Sequence, residues 1–325
     1  MRASRITWIL IMALVTTYLL GPRPSDPKFD YILPTIDNNV NNYVASIEQK
    51  HQLKPNNEAK IIWADSTHKP TEYAIVYLHG FSASQMEGDP IHRQIAKKFH
   101  CNLYLARLAE HGIDTTEEMM NLTAEKYWES AKQAFAIGKQ LGKKVIIMST
   151  STGGTLSLQL AAAYPEIAGL VMYSPNIAVN NPAAPLLNNP WGLQIGRLVM
   201  KGNYVNIHYT DSAYPKYWNT HYRIEAVVAM QNLLEATMTK EVFSKIHQPT
   251  LVLYYYKNEK EQDHVVKVSA MKNMFTSIST PDSLKVLKAM PKTGNHVLAS
   301  PIVSKDIAGV EKETAAFIAA KIINN

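Results

Sequence analysis

The amino-acid sequence predicts an α/β fold in which helices flank a mostly parallel central sheet. Short apolar runs of strand length alternate with segments of helical periodicity from about residue 59 to the C-terminus. The apolar run at residues 145–148 passes directly into a helical pattern that ends at Tyr164 and Pro165. Strands and helices that alternate in this way form a parallel sheet covered on both faces.

The predicted elements follow this order along the chain. Strands are expected at residues 59–64, 72–78, 102–106, 145–148, 168–173, 250–256 and 284–290, and helices at 90–99, 123–138, 152–164 and 303–323. Roughly seventy residues separate the strand ending at Tyr173 from the next strand, far more than an ordinary connection needs. Residues of about 176–248 are therefore expected to be an insertion in the domain formed by residues 58–325.

Composition limits the class of protein. The 325 residues are 46% hydrophobic and 18% charged, as expected for a globular protein with a large core. The formal charge is +6, but the basic residues are scattered, so no nucleic-acid partner is predicted. Cys101 is the single cysteine, which excludes an intrachain disulfide and a cysteine metal cluster.

Residues 1–24 are a candidate signal or membrane-anchor segment. Arg2 and Arg5 precede the apolar segment 6–20, which is short for a membrane-spanning helix. No A-x-A-like cleavage site precedes Gly21. We favour an uncleaved anchor that places the rest of the chain outside the cytoplasm, with secretion or periplasmic release after cleavage as the alternative. The polar residues 25–57, with a helix-like patch at 40–51, are expected to form a leader that packs onto the domain.

The strand-to-helix corner contains a candidate nucleophile. The sequence Ser149-Thr150-Ser151-Thr152-Gly153 matches the G-x-S-x-G nucleophile elbow, except that Ser149 replaces the first glycine. A small residue is tolerated there because crowding sets that position. Ser151 is the better candidate, since a β-branched residue, Ile147, would crowd the turn around Ser149. The alternative is an ordinary turn rich in Ser, Thr and Gly.

A second signal lies at the end of the strand at residues 72–78. His79-Gly80-Phe81 follows this strand and precedes a helix. In serine hydrolases the oxyanion is stabilised by backbone N–H groups, and a glycine lets the chain come close to substrate. Alone, the motif is equally consistent with a simple turn.

A candidate acid and a candidate base follow the last two strands. Among three carboxylates in the loop after residue 256, Asp263 is favoured because the valines that follow can anchor it in the core, whereas Glu259 and Glu261 are expected to face solvent. His296 lies on the loop after the last strand, where a general base is expected; His264 is the rival, but would have to fold back on its own loop. The histidine spacings predict no metal site, and no cofactor is expected.

Taken together, these motifs resemble the α/β-hydrolase superfamily, and within it the branch of carboxylesterases, monoacylglycerol lipases and lysophospholipase-like serine hydrolases. The order Ser151, Asp263, His296 is that of the superfamily's triad. The resemblance covers most of the chain from about residue 59. It rests on His79-Gly80-Phe81, on Glu110-His111-Gly112, which is similar to a G-H-G segment, on Ser149 to Gly153, on Asp263-x-Val-Val and on Asn295-His296.

The resemblance implies a serine hydrolase that cleaves carboxylic esters, such as monoacylglycerol-like or lysophospholipid-like substrates, through an acyl-enzyme. It also implies that the backbone amides of Phe81 and Thr152 form the oxyanion hole. The insertion is rich in aromatic residues and methionine and is expected to be a helical lid over an apolar pocket. Its candidate pocket residues are Trp191, Tyr217, Trp218 and Met230, although each could simply pack the insertion onto the domain.

Two other functions remain open. One is an amide or peptide hydrolase of the same fold, similar to a proline-directed aminopeptidase, in which Glu225 or Glu235 would bind the free amine. The other is a catalytically silent, membrane-anchored binding module, suggested by the altered elbow.

Overall fold

A seven-stranded sheet is the centre of the protein in this computed structural model, which describes residues 2–36 and 39–324. The strands are β1 (Lys60–Ile62), β2 (Thr71–Leu78), β3 (Asn102–Leu105), β4 (Gly142–Thr150), β5 (Gly169–Tyr173), β6 (Tyr204–Asn206), β7 (His221–Arg223), β8 (Thr250–Tyr254) and β9 (Lys285–Ala289). The main sheet has the order β1-β3-β2-β4-β5-β8-β9, and β6 and β7 form a separate antiparallel pair. Within the main sheet, the edge strand β1 is antiparallel to β3, whereas the other neighbouring strands are parallel. The predicted mostly parallel α/β fold is confirmed.

Helices pack on both faces of this sheet. The helices of the described residues are α1 (Arg2–Leu19), α2 (Val40–Glu48), α3 (Ile91–Lys98), α4 (Ala124–Leu141), α5 (Thr152–Ala163), α6 (Gly192–Val199), α7 (Tyr214–Tyr217), α8 (Ile224–Thr237), α9 (Lys240–Phe243), α10 (Val268–Ser277) and α11 (Ile307–Phe317), the last continuing as a π-helical segment, Ile318–Ile323. Those on the faces include α4 and α5 on one side and α3 and α11 on the other. Short 3-10 turns lie at Gln85–Gly88, Ala184–Asn188 and Asp282–Leu284.

The apolar run of β4 explains why this strand is central. Val145 and Ile147 point into the core beneath α4 and α5, while Ile146 and Met148 point into the core beneath α3 and α11. A strand buried on both faces needs a continuous apolar run instead of an alternating one. The register pairs Leu78 with Ser149, so β2 and β4 end side by side at the same edge of the sheet.

The elements between β5 and β8 lie within residues 176–248, the range that the sequence predicts to be an insertion. They comprise α6 to α9 and the pair β6 and β7. The insertion lies beside the carboxyl edge of the sheet, where the Asn219 N–H donates to the Ser82 carbonyl oxygen at 2.6 Å. Its helix α8 packs against α4 and α5. The helix α10, outside the insertion, was not predicted from the sequence.

Residues preceding the predicted domain pack against α4. The ring of Trp128 contacts Phe29 and Tyr31 edge-on and stacks on Tyr164. The fully buried ammonium of Lys132 pairs with Asp30 and donates to the Ile32 carbonyl oxygen at 2.9 Å. A buried cation needs such partners because its desolvation is costly.

The helix α1 exposes apolar side chains, among them Trp8, Leu14 and Leu19. No helix in the described part of the chain is long and apolar enough to cross a membrane. The N-terminal anchor and the location of the protein in the cell stay predictions.

Lys132→Ala should loosen the segment that precedes the domain. The substitution removes the buried lysine stem and the cation that holds the Ile32 carbonyl and the exposed carboxylates of Asp30 and Glu129, and we expect it to lower the free energy of unfolding by about 1.5 kcal/mol. Limited proteolysis should then cut faster within residues 25–57. The matched control, Lys139→Ala, removes a half-exposed lysine of the same helix and should cost less than about 0.5 kcal/mol. Equal cleavage rates in both variants would contradict this role of Lys132.

Candidate active site

Ser151 lies at the corner between β4 and α5. Its backbone is in a strained region, with φ 53° and ψ −120°, which few non-glycine residues adopt. The Ser151 N–H donates to the Tyr173 carbonyl oxygen at 3.0 Å, and the Ser151 carbonyl accepts from Gly154 and Asn176. These bonds hold the serine side chain at the cavity beyond the edge of the sheet. This geometry is that of a nucleophile elbow.

Ser149 occupies a different environment from Ser151. It is fully buried within β4, and its hydroxyl has no hydrogen-bond partner in the described residues. It does not line the cavity that contains Ser151. The structure therefore places Ser151, and not Ser149, where a substrate could reach it.

Gly153 explains why the corner is possible. A Cβ at this position would lie 2.1 Å from the Leu78 carbonyl oxygen and 2.7 Å from the His79 carbonyl oxygen. Both atoms belong to the backbone of the neighbouring chain segment and cannot move aside easily. The absence of a side chain at Gly153 lets the first turn of α5 pack directly against the end of β2.

Asp263 and His296 form a buried pair beside Ser151. The Nδ1 of His296 lies 2.6 Å from Oδ2 of Asp263. The other carboxylate oxygen accepts the N–H groups of Val265 at 2.8 Å and Val266 at 3.0 Å. These bonds orient the carboxylate and, through it, the imidazole ring.

The pair also changes the pKa of each partner. Burial raises the pKa of the Asp263 carboxyl, but the charge and hydrogen bond of His296 and the two valine amides more than offset this and lower it below its usual value. Burial lowers the pKa of the His296 imidazole, but the charge and hydrogen bond of Asp263 and the charge of Glu87 raise it above its usual value. The pair thus favours a charged carboxylate and stabilises the imidazolium.

The rival residues lie outside this arrangement. His264 is exposed, as are Glu259 and Glu261, which bond to Tyr256 and Lys257 respectively. The buried Nε2 of His296 has no hydrogen-bond partner in the described residues, although it lines the same cavity as Ser151. Hydrogen bonds of this kind often tighten only when substrate binds. No group of three or more His, Cys, Asp and Glu side chains within residues 2–36 and 39–324 is arranged to hold a metal ion.

Two buried histidines shape the loop after β2. The Nε2 of His79 accepts the Leu108 N–H at 3.0 Å, and its Nδ1 lies 2.9 Å from the Gly80 carbonyl oxygen. The Nε2 of His111 accepts the Ser82 N–H at 3.0 Å, and its Nδ1 lies 2.8 Å from the Ala109 carbonyl oxygen. Each ring therefore carries its proton on Nδ1 and bridges two segments of backbone.

Burial keeps both rings neutral. It lowers the pKa of His79 to about 4, and it lowers the pKa of His111 well below its usual value, with a further contribution from His79. The motif residues His79 and His111 are therefore structural acceptors at neutral pH. They fix the loop that carries Phe81, whose N–H, like that of Thr152, donates to no protein acceptor within the described residues.

A cavity of about 400 Å³ is lined by six of the predicted site residues. Its lining includes Phe81, Ser151, Thr152, His296, Trp218 and Met230 from the predicted set, together with Glu87, Asn176, Tyr214, Tyr222 and Val227. Asp263 lies behind His296 and does not reach the cavity wall. The Trp218 ring stacks on Tyr214 at 4.5 Å between ring centroids, which makes one wall aromatic.

Two predicted pocket residues do not line this cavity. Trp191 immediately precedes α6, and its indole N–H donates to the Thr17 carbonyl oxygen and its backbone N–H to that of Pro22. Tyr217 packs against the cluster that contains Trp218 and Val297, which line the cavity, but does not itself reach it. Glu87, in contrast, was not predicted. Two carboxylates, Glu87 and Asp89, lie between Phe81 and α3, and nothing in the sequence shows which of them is buried in the cavity wall.

Comparisons with known proteins support the fold. No family model matches the chain. A thermostable monoacylglycerol lipase of Bacillus sp. (strain H-257) is 31% identical over 109 residues, which are 34% of this chain and 42% of that protein. The chain therefore matches about two fifths of the length of this curated relative.

Solved structures match over a larger part of the chain. A structure from a study of LipS and LipT, two metagenome-derived lipolytic enzymes, has a TM-score of 0.65 at 17% identity and covers 82% of this chain and 99% of its own. Monoacylglycerol lipase from Paleococcus ferrophilus has a TM-score of 0.59 at 13% identity and covers 81% and 98%. The chain has the α/β-hydrolase fold, and the resemblance seen in the sequence motifs is confirmed at that level.

Gly153→Ala should disrupt the corner. The new methyl group would overlap the Leu78 carbonyl oxygen, and relieving the overlap must shift either β2 or α5. We expect a loss of about 3 kcal/mol in the free energy of unfolding, measured by urea denaturation. Gly202→Ala is the matched control, because no heavy atom lies within 4 Å of a Cβ there, and its effect should stay within about 0.5 kcal/mol. A Gly153 variant as stable as the control would show that the contact is not tight.

Proposed function

We propose that this protein is a serine hydrolase that cleaves carboxylic esters through an acyl-enzyme. The observation that carries the proposal is the arrangement around one cavity. A strained Ser151 faces it, the His296 ring held by Asp263 lines it, and two backbone amides without protein acceptors lie at its edge. Each part has a defined role in acyl transfer.

The proposed reaction has two steps, acylation of Ser151 and hydrolysis of the acyl-enzyme. In the first, His296 Nε2 takes the Ser151 hydroxyl proton as Oγ attacks the ester carbonyl, and the Phe81 and Thr152 amides stabilise the oxyanion. The imidazolium then gives its proton to the leaving alcohol, and the acyl group remains on Ser151. In the second, water attacks the acyl-enzyme, His296 takes and returns a proton, and the acid leaves.

The cavity walls favour an apolar acyl group. A second cavity of about 260 Å³ adjoins the first and shares Val179, Val227 and Met230 with it. Its other apolar walls come from residues of the insertion, including Leu186, Leu187, Ile195, Val199 and Met200. Monoacylglycerol-like or lysophospholipid-like esters fit such a lining, and the partial similarity to a monoacylglycerol lipase agrees with this substrate class.

The insertion would then serve as the lid of this site. Its Trp218 and Met230 reach the cavity, while Asn219 bonds to the loop that carries Phe81. A cover that excludes water strengthens the interactions of the amides with a developing oxyanion.

The structure gives less support to an amide hydrolase that recognises a free amine. Glu225 is held by Arg197 and Arg223, and Glu235 bonds to Asn188 and Gln231. Neither carboxylate lines the cavity of Ser151. Their existing partners occupy the oxygens that an amine would need.

A fluorophosphonate probe tests the nucleophile directly. The probe should label the wild type and Ser149→Ala, but not Ser151→Ala, because only Ser151 lies in the cavity beside His296. Labelled protein can be measured by intact mass. In parallel, p-nitrophenyl esters should be hydrolysed and aminoacyl-p-nitroanilides should not. An unlabelled wild type would support a silent binding module, and preferred cleavage of the anilides would support a peptidase.

The pH dependence of hydrolysis should report His296. The imidazole must be neutral to accept a proton, and the net effect of its surroundings raises its pKa above the ordinary 6.5. We therefore expect kcat/KM to fall as the pH decreases through a limb centred above 6.5. Asp263→Asn should move this limb to lower pH and reduce kcat by roughly 10⁴-fold. A profile that stays flat between pH 5 and 8 would contradict the assignment of the base.

A further inference from the structure

Glu87 is a buried carboxylate in the proposed active site with no role in the triad. It belongs to the 3-10 turn Gln85–Gly88, which follows the loop after β2. Its side chain is almost fully buried, and it lines the same cavity as Ser151 and His296. Carboxylates are seldom buried without a specific partner, so its contacts indicate what it does.

The first partner of Glu87 is the backbone of Gly80. The Gly80 N–H donates to Oε2 of Glu87 at 2.5 Å. A Cβ on Gly80 would lie 2.9 Å from the Ser151 Cβ and 3.0 Å from that same Oε2. Glu87 therefore holds Gly80 in close contact with the nucleophile. Because Gly80 precedes Phe81, this bond also sets the position of the proposed oxyanion amide.

The other partners of Glu87 concern its charge. Burial raises the pKa of its carboxyl to about 7, although the Gly80 N–H, the charge of His296 and a hydrogen bond from Trp218 lower it. Burial outweighs these contacts, so the carboxyl is partly ionised at pH 7 and carries its full negative charge at higher pH. The remaining titratable groups that sense its charge are Tyr77, Tyr127 and Tyr214, whose raised pKa values keep them neutral near pH 7.

We propose that Glu87 is a positioning residue of this active site: its carboxylate fixes the Gly80 N–H, and so the Phe81 amide, beside Ser151, and it supplies a second negative charge that acts on the His296 imidazole. The proposal rests on the proposed esterase function. The two effects of Glu87 can be separated, because the contact with Gly80 depends on the length of the side chain and the effect on His296 depends on its charge.

The charge effect can be measured without a substrate. In ¹⁵N-histidine NMR titrations, with the His296 signals assigned by comparison with His296→Gln, Glu87→Gln should lower the pKa of His296 by about 0.5 unit. The acid limb of kcat/KM for a p-nitrophenyl ester should move in the same direction. Glu313→Gln is the matched control, because it removes a part-buried carboxylate of α11 that pairs with Lys288, away from the cavity. It should leave both readouts unchanged.

The reach effect needs a second variant. Glu87→Asp keeps the charge but shortens the side chain by one methylene, so its carboxylate should no longer hold the Gly80 N–H. We expect kcat to fall about tenfold with KM changed less than about twofold, while the pKa of His296 stays near that of the wild type. Glu87→Gln should also lower kcat. The Asp variant keeps the proposal testable if thermal denaturation shows that the Gln variant does not fold.

The outcomes separate this proposal from the proposed function. A folded Glu87→Gln with unchanged His296 pKa and unchanged kcat would overturn the role of Glu87. An Asp variant with wild-type kcat would overturn the positioning effect. A wild type that hydrolyses no ester would overturn the esterase proposal instead, while the NMR titration would still decide whether Glu87 acts on His296.

Discussion

The site depends on how closely the ends of β2 and β4 approach one another. Leu78 and Ser149 are register partners, so β2 and β4 end at the same level of the sheet. The first turn of α5 then packs against the Leu78 carbonyl, which only a glycine at position 153 allows. At the same corner Ser151 has a positive φ, and Gly80 lies against the serine Cβ. Ser151 and the loop that carries Phe81 are thus one packing unit, in which a shift of one part displaces the other.

Three histidines near Ser151 show how the surroundings of an imidazole decide what it can do. His79 and His111 are fully buried, each accepts a backbone N–H through Nε2, and burial lowers the pKa of both, so they remain neutral supports of the loop. The His296 side chain is 10% exposed and faces the charges of Asp263 and Glu87, and its pKa is raised although burial lowers it. Desolvation alone would have made all three alike. The difference comes from carboxylates that the fold places beside one ring only.

Much of the fold could be predicted because its signals are local. The buried run of β4, the strand-to-helix corner and the long gap before β8 each follow from periodicity or spacing. The positions of Ser151, Asp263 and His296 were predicted because each follows a strand, and parallel strands bring such loops to one edge. Their catalytic roles stay predictions until the probe and pH experiments are made.

What the sequence did not reveal depends on contacts between distant segments. Trp191 and Tyr217 were expected at the pocket from composition, but a helical insertion has two faces, and its orientation is set by packing against other elements. Trp191 instead contacts the N-terminal segment, and Tyr217 packs against Trp218 and Val297 without reaching the cavity that they line. Glu87 was missed because nothing local distinguishes it from a solvent-exposed acid. Only its bond to Gly80 and its place in the cavity do so.

The wall shared by the two cavities has a consequence for selectivity. Val179, Val227 and Met230 separate the space beside Ser151 from the apolar space under α6, and together they act as a partition. On the proposed function, the length of acyl chain that fits would be set by how far these three side chains can move aside. Methionine is the most adaptable of them, with three rotatable bonds. On the proposed function, a substitution at the partition would change the preferred substrate length without touching Ser151, Asp263 or His296.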